Sequence, residues 1–235
     1  MARSNAWEEH AQEWIVWART PGHDGFWEGT WPELRAVLPP PGGLVVEIGC
    51  GEGRVGRALQ ELGHSVVGVE RSATLARAAR QHANVPLAII QADAARLPIG
   101  DATASTVVAC MSLHDVDDLR STVEEVARVL RPGGQFCVAM VHPFASAQDP
   151  AGEWRAAWHS TTRPDPAVVS QPYLSERRFE DRVQRGELKM TFVSTHRPLS
   201  AYISAFVDSG LLLGGLREFG TKPIPWLLVA RLERM

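Results

Sequence analysis

Between residues 44 and 141, short apolar runs alternate with longer segments whose apolar residues recur at helical spacing. The apolar runs predict strands at 44–48, 65–69, 86–91, 105–110 and 135–141. The segments between them predict helices at 54–62, 72–82 and 115–130. Strands joined by crossover helices form a parallel, doubly wound sheet, which binds ligands at the carboxyl ends of its strands.

The pattern changes after residue 142. Residues 143–174 show weak periodicity and are rich in Pro, Ala, Ser and Trp. Alternation then predicts an antiparallel hairpin from 175–184 and 187–195, joined by a turn at 185–186. The remaining elements are a helix at 198–208 and two adjacent antiparallel strands at 211–219 and 226–232.

The first 38 residues predict a helical cap with a row of aromatic side chains. Trp7, Trp14 and Trp17 fall on one face of a helix, and a Pro-Gly pair at 21–22 ends it. A proline-rich linker at 39–43 separates this cap from the sheet. The predicted division is therefore a cap (1–38), a core (44–142), an insertion or lid (143–196) and a C-terminal return to the core (197–235).

Composition narrows the class of protein. The 235 residues are 45% hydrophobic and 22% charged, which is typical of a globular domain. The net charge of −3 argues against nucleic-acid and membrane partners. Three cysteines without metal-ligand spacing, no long apolar run and no secretory signal predict a cytoplasmic protein with no metal site. The strong preference for Arg over Lys is typical of a GC-rich bacterial genome.

The most informative segment is the glycine-rich turn after the first strand. Gly51, Gly53 and Gly56 satisfy the dinucleotide fingerprint G-x-G-x-x-G, and Glu70 follows Gly51 by 19 residues, so NAD binding is plausible. Two acids favour another ligand. One carboxylate, Glu47, precedes the turn and suits a cationic group. Another acid, Asp93, ends the predicted third strand.

Several segments along the chain carry a family resemblance, and most of them include or follow the end of a predicted strand. They are 45–53, 67–72, 91–94 with 97–98, 112–115 and 131–134. Together they make the chain resemble the class I S-adenosylmethionine-dependent methyltransferases, particularly the small-molecule group called methyltransferase type 11. The resemblance implies an α/β, Rossmann-like, mostly parallel seven-stranded sheet with an antiparallel last strand, a helical cap and a lid after strand five.

The resemblance also implies a cofactor and its contacts. The cofactor is S-adenosyl-L-methionine, and the product is S-adenosyl-L-homocysteine. Glu47 and the glycine turn would hold the amino-acid portion, Glu70 the ribose hydroxyls and Asp93 the adenine. The full set of implied cofactor residues is Glu47, Gly49, Cys50, Gly51, Gly53, Glu70, Arg71, Asp93, Ala94 and Met111.

The sequence carries fewer signals for the residues that bind the methyl acceptor. A general base is needed only when the acceptor must lose a proton, and histidine titrates near neutrality. The candidates are His142 after strand five, His114 after strand four and His196 after the hairpin. Each has a structural alternative: bonding loop backbone, capping a helix or anchoring the hairpin. The aromatic residues expected to bind the acceptor are Trp14, Trp17, Trp154 and Tyr173.

The leading hypothesis is methyl transfer to an oxygen or nitrogen of a small molecule, with a specialised natural-product metabolite as the expected acceptor. An NAD(P)-dependent oxidoreductase, a non-catalytic cofactor-binding subunit and an RNA or protein methyltransferase remain alternatives. The sequence does not distinguish a monomer from a homodimer.

Overall fold

The computed structural model describes residues 6–82, 86–147, 172–220 and 225–235. The helices are α1 Ala6–Glu9, α2 Ala11–Arg19, α3 Trp31–Arg35, α4 Arg54–Glu61, α5 Ala73–Arg80, α6 Leu119–Val129, α7 Pro143–Ser146 and α8 Leu199–Asp208, with a π-helical turn at Phe26–Thr30. The strands are β1 Leu44–Ile48, β2 Ser65–Glu70, β3 Ala88–Gln91, β4 Ala104–Cys110, β5 Leu130–Val141, β6 Arg177–Arg185, β7 Leu188–His196, β8 Leu211–Phe219 and β9 Leu227–Arg234. Within these ranges, no helix is long and apolar enough to cross a bilayer.

Seven strands form the main sheet in the order β3-β2-β1-β4-β5-β9-β8. The first five strands pair in parallel, and β9 lies antiparallel between β5 and β8. This confirms the doubly wound, mostly parallel sheet with an antiparallel last strand. The strand order reverses between β1 and β4, and the carboxyl ends there open the crevice in which such sheets bind ligands.

Both faces of the sheet are covered, which explains the nearly continuous apolar runs in its central strands. On one face, the ring of Phe206 of α8 meets that of Phe136 edge to face, and Val123 of α6 belongs to the same buried cluster. On the other, Leu34 of α3 and Leu59 of α4 belong to a second buried cluster. All seven residues of β4 are buried, as expected for a central strand.

Local signals placed some boundaries correctly and others not. The Ser72 hydroxyl accepts from the Leu75 amide and begins α5, as predicted. The helix predicted to start at 115 begins instead at Leu119, because Asp118 caps it. Strand β5 begins earlier than predicted, since Leu130 already pairs with Ala104 across a register irregularity. The hairpin turn lies one residue later, with Arg185 paired to Leu188.

The hairpin β6-β7 is a separate two-stranded sheet that contacts the helical cap. The Glu13 carboxylate of α2 accepts the Thr191 amide of β7 at 2.9 Å. The rings of Trp17 and Phe192 meet edge to face, with centroids 5.7 Å apart. The cap and the hairpin are therefore joined by both polar and aromatic contacts.

A single carboxylate fastens the start of the cap to the core. Glu8 of α1 accepts from the hydroxyls of Ser72 and Thr74 at 2.5 and 2.6 Å and from the Thr74 amide at 3.1 Å. These bonds lie directly after β2, next to Glu70. The cap is thus tied to the same loop that carries one of the predicted cofactor acids.

The Glu8 contacts predict a pH-dependent contribution to stability. The hydrogen bond from Ser72, followed by that from Thr74, lowers the pKa of Glu8 below its usual 4.5. A carboxylate with a lowered folded-state pKa stabilises the fold above its unfolded pKa and loses that contribution as pH falls through the folded value. We expect Glu8→Gln to lower Tm at pH 7, with the difference from wild type shrinking below pH 4.5. A Tm difference that stays constant from pH 7 to pH 3 would contradict this role.

Candidate functional site

A cavity of about 230 Å³ opens where the strand order reverses. Its floor is formed by the carboxyl ends of β1, β2 and β4 with the turns that follow them. Its walls come from α2, the π-helical turn and the hairpin β6-β7. Of the residues assigned to the cofactor by resemblance, all but Gly53 line this cavity.

The turn after β1 needs glycine for two reasons. Gly49 and Gly51 adopt positive φ values of 64° and 57°, which side chains other than glycine rarely tolerate. A Cβ at Gly49 would also lie 2.5 Å from the Cβ of Ser112, in the turn after β4. Gly53 does not line the cavity; it has a φ of 89° and begins α4. The turn thus brings bare backbone to the cavity floor.

Glu47, at the end of β1, is a buried carboxylate with incomplete hydrogen bonding. Its side chain is 2% exposed, and its Oε2 atom has no hydrogen-bond partner among the residues the structure describes. Burial, followed by the negative charge of Glu70, raises its pKa to about 8. Such a group is costly on its own, and a cationic ligand beside it would lower the cost.

Glu70, at the end of β2, is held in place by backbone amides. One carboxylate oxygen accepts from Gly51 at 2.8 Å, and the other accepts from Ser72 at 2.7 Å. Burial raises the pKa of Glu70 although these bonds oppose the shift. A carboxylate has about four lone-pair sites, so each oxygen keeps the capacity to accept one further hydroxyl.

A guanidinium and two carboxylates border the far end of the cavity. Arg71 bonds Asp117 at 2.7 Å and lies 3.7 Å from Asp93, which follows β3 by two residues. The Asp117 carboxylate also lies 4.0 Å from Arg178 of the hairpin. These charges connect the loops after β2, β3 and β4 to the hairpin.

Met111, directly after β4, also lies in the left-handed region of backbone conformation, with a φ of 54°. Its amide donates to the carbonyl of Ala139 at 2.7 Å, which holds that conformation in place. Strained residues of this kind concentrate at functional sites, where the surrounding structure fixes them. Met111 therefore occupies the cavity floor in a fixed orientation.

One wall of the cavity is aromatic and packs against the glycine turn, since a Cβ at Gly51 would lie 2.9 Å from the indole nitrogen of Trp14. We call it the ring wall. Phe192 of β7 contacts the rings of Trp14 and Trp17 edge to face, at 6.2 and 5.7 Å. The Arg54 guanidinium lies 3.7 Å from the centroid of Phe26 and 4.9 Å from that of Trp14. The cavity-lining members of the ring wall are Trp14, Trp17, Phe26, Phe192 and Trp226.

The three histidine candidates differ in their position relative to the cavity. His114 lines the cavity, 7% exposed, with its Nε2 atom 3.5 Å from the Asp115 carboxylate. His142 does not line the cavity, since its ring bonds Glu218 at 2.7 Å and accepts from the Phe144 amide. Burial lowers the pKa of His142. The expectation that His142 faces the acceptor was therefore wrong: its ring begins α7 instead.

His196 and Tyr173 were also predicted at the site, and the structure places both outside the cavity lining. The His196 ring bonds the Ser146 hydroxyl at 2.7 Å and the Tyr173 carbonyl at 2.8 Å. The Tyr173 hydroxyl accepts from the Leu199 amide at the start of α8. These contacts anchor the hairpin and α8. Trp154 lies outside the described residues.

Several cavity residues were not predicted from the sequence as site residues. Arg54 could have been noticed because it follows the glycine turn directly. Asp117 bonds Arg71, which lies 46 residues away in sequence, and no local pattern reveals that contact. Phe26 and Phe192 carry no local signal, because they reach the cavity only through the packing of the cap on the hairpin.

Comparison with known proteins agrees with this geometry. Residues 46–138 match the family described as "Methyltransferase domain". A crystal structure of an S-adenosylmethionine-dependent methyltransferase from Mesorhizobium loti superimposes with a TM-score of 0.69 and 25% identity, covering 88% of this chain and 99% of that one.

Two curated relatives match over shorter stretches. A demethylmenaquinone methyltransferase from Corynebacterium kroppenstedtii is 33% identical over 119 residues, which are 51% of this chain and 50% of the relative. An O-methyltransferase from Pyrenophora dematioidea is 27% identical over 175 residues, which are 66% of this chain and 64% of the relative. The chain thus spans less than two thirds of the length of either relative.

Proposed function

We infer that this chain, a member of the class I S-adenosylmethionine-dependent methyltransferases, transfers a methyl group from that cofactor to an oxygen or nitrogen of a small molecule. The observation that carries the proposal is the pair of buried carboxylates, Glu47 and Glu70, placed beside a turn of bare backbone at the strand-order reversal. The matched domain covers this turn and both carboxylates.

The residues present fit S-adenosylmethionine on chemical grounds. The unpartnered Oε2 atom of Glu47 suits a nearby positive charge, whether ammonium or sulfonium. Glu70 keeps two acceptor sites, which suits the two neighbouring hydroxyls of a ribose. Asp93, Ala94 and Arg71 line the end of the cavity where the adenine would extend.

When bound, the sulfonium supplies an activated methyl group and a good leaving group. The chain must then position the acceptor and exclude water. The ring wall and the cap cover the cavity beside the glycine turn, and Arg19 of α2 bonds Glu52 of that turn at 2.9 Å. The cap therefore serves to order the site as well as to cover it.

His114 is the residue we assign to proton removal from the acceptor. It is the histidine of the predicted three that lines the cavity, and it lies beside Asp115. Its carbonyl accepts the Thr195 amide of β7 at 2.9 Å, which fixes the backbone at this point. A neighbouring carboxylate stabilises a histidine that takes up a proton.

The size and character of the cavity favour a small acceptor. The aromatic ring wall encloses it, and a cavity of this kind suits a specialised metabolite better than a nucleic-acid chain. The net charge of −3 also disfavours a polyanionic partner.

The test is transfer of a labelled methyl group from S-adenosylmethionine to a panel of phenols, carboxylates and amines. With the best oxygen acceptor, we expect His114→Gln to lower kcat by about a hundredfold, which is the usual range for a general base. The Kd for S-adenosylhomocysteine should change less than twofold. Transfer to none of the panel, with the cofactor bound, would favour a non-catalytic role; an unchanged kcat would remove His114 from the mechanism.

A further inference from the structure

The ring wall contains two guanidinium groups stacked on aromatic faces. Arg54 lies between Trp14 and Phe26, and Arg185 lies over Trp17 at 5.4 Å from the ring centroid. Both arginines line the cavity. The polar and aromatic surfaces on this side are therefore interleaved rather than separated.

Local contacts hold these stacks in place. Arg54 bonds Asp24 at 2.6 Å, and the two side chains are only 12% and 15% exposed. Arg185 donates to the carbonyl of His23, whose ring packs edge to face on Trp17 at 4.5 Å. The wall is consequently preorganised, so a ligand need not order it on binding.

This arrangement favours a flat, electron-rich ligand over a saturated one. A π-system gains from edge-to-face and offset contact with rings, and from a guanidinium stacked nearby. A saturated skeleton of equal size would bury the same apolar area but would make neither ring–ring contacts nor guanidinium stacking. It would also cover the partly buried guanidinium groups without giving them a π-system to contact.

We propose that the acceptor is a planar aromatic alcohol, a phenol, which lies against the ring wall and is methylated on its oxygen. The inference rests on the proposed function and specifies its substrate class. The phenol oxygen gives its proton to a ring nitrogen of His114 and forms the new bond to the methyl carbon with its own electron pair. The electrons of the broken carbon–sulfur bond remain on the sulfur atom of S-adenosylhomocysteine.

Two matched probes test the aromatic requirement. We would titrate 2-naphthol and decahydro-2-naphthol, which share a carbon skeleton and a hydroxyl, into the full chain saturated with S-adenosylhomocysteine. Calorimetry reports binding directly, without turnover. We expect naphthol to bind at least about tenfold more tightly, because only naphthol can make ring–ring and guanidinium contacts with the ring wall.

Substitutions in the hairpin test whether the preference for naphthol depends on the ring wall. Phe192→Leu should remove most of the preference for naphthol, and Phe192→Tyr, which keeps the ring, should restore it. Phe179→Leu makes a matched control, because Phe179 belongs to the same hairpin but does not line the cavity. Circular dichroism and Tm establish that each variant folds.

The outcomes separate this inference from the proposed function. Equal affinity for the two probes, or no binding of either to a protein that holds S-adenosylhomocysteine, would overturn the aromatic acceptor. A preference that survives in Phe192→Leu would overturn the assignment to the ring wall. If S-adenosylhomocysteine itself does not bind, the proposed function fails together with everything that rests on it.

Discussion

Replacing Glu70 with glutamine is expected to weaken S-adenosylhomocysteine binding by at least about a hundredfold. Hydrogen bonds to a charged group contribute about 1.5–3 kcal/mol each, and two ribose hydroxyls would bond this carboxylate. The amide also turns an NH₂ group toward a backbone donor, since both Glu70 oxygens already accept from Gly51 and Ser72. Calorimetry on the folded variant measures the loss.

The matched control for this variant is Glu124→Gln on α6. That carboxylate is 54% exposed, pairs with Arg120 on the helix surface and does not line the cavity. Its removal changes the net charge by the same amount and should leave the Kd within twofold of wild type. A Glu70→Gln variant with an unchanged Kd would remove Glu70 from the cofactor site.

Substituting alanine for Gly49 is expected to abolish cofactor binding and to destabilise the fold. The left-handed backbone costs an alanine about 1–2 kcal/mol, and overlap with Ser112 adds about 1–3 kcal/mol of overpacking. The Ser112 hydroxyl donates to the carbonyl of Ile48, so movement of Ser112 would also disturb the end of β1. Urea denaturation and calorimetry together measure both effects.

Gly133→Ala separates backbone strain from crowding. Gly133 has a similar φ of 72°, but a Cβ there would meet nothing within 4 Å. This variant should lose only about 1–2 kcal/mol and bind S-adenosylhomocysteine normally. If the two alanine variants lose the same free energy of unfolding, the contact between Gly49 and Ser112 has no role in the turn.

The sheet and its cofactor edge could be predicted because their signals are local. An apolar run, a glycine turn and an acid at a strand end are contiguous in sequence, and strand ends meet at one edge of a parallel sheet. Glu47, Gly51, Glu70 and Met111, which the resemblance assigns to the cofactor, therefore come together in the cavity lining. Gly53, assigned to the cofactor with them, begins α4 and does not line the cavity.

The histidines show where local reasoning failed. His142 follows β5 and His196 ends β7, and sequence patterns associate such positions with active sites. Their rings are nevertheless occupied by Glu218 and Ser146, which are distant in sequence. The position of β8 in the sheet brings Glu218 to His142, and the packing of α7 against the hairpin brings Ser146 to His196. A strand-end histidine thus predicts a site residue only when no such partner reaches its ring.

The positions of the N-terminal tryptophans could be predicted from the sequence only in part. Their helical spacing placed Trp14 and Trp17 on one face, and both line the cavity. Their ring partner Phe192 is more than 170 residues away in sequence and could not be inferred from spacing. The proposed role of the cap as a wall of the acceptor site therefore depends on tertiary contacts as much as on the sequence pattern.

The central claim is that the acids and glycines at the strand-order reversal bind S-adenosylmethionine. Its most direct test is calorimetric titration of the wild-type chain with S-adenosylhomocysteine, with NADH titrated under the same conditions. We predict saturable one-to-one binding of S-adenosylhomocysteine with a Kd in the micromolar range, roughly −8 kcal/mol, and no binding of NADH. Saturable binding of NADH without binding of S-adenosylhomocysteine would contradict the claim.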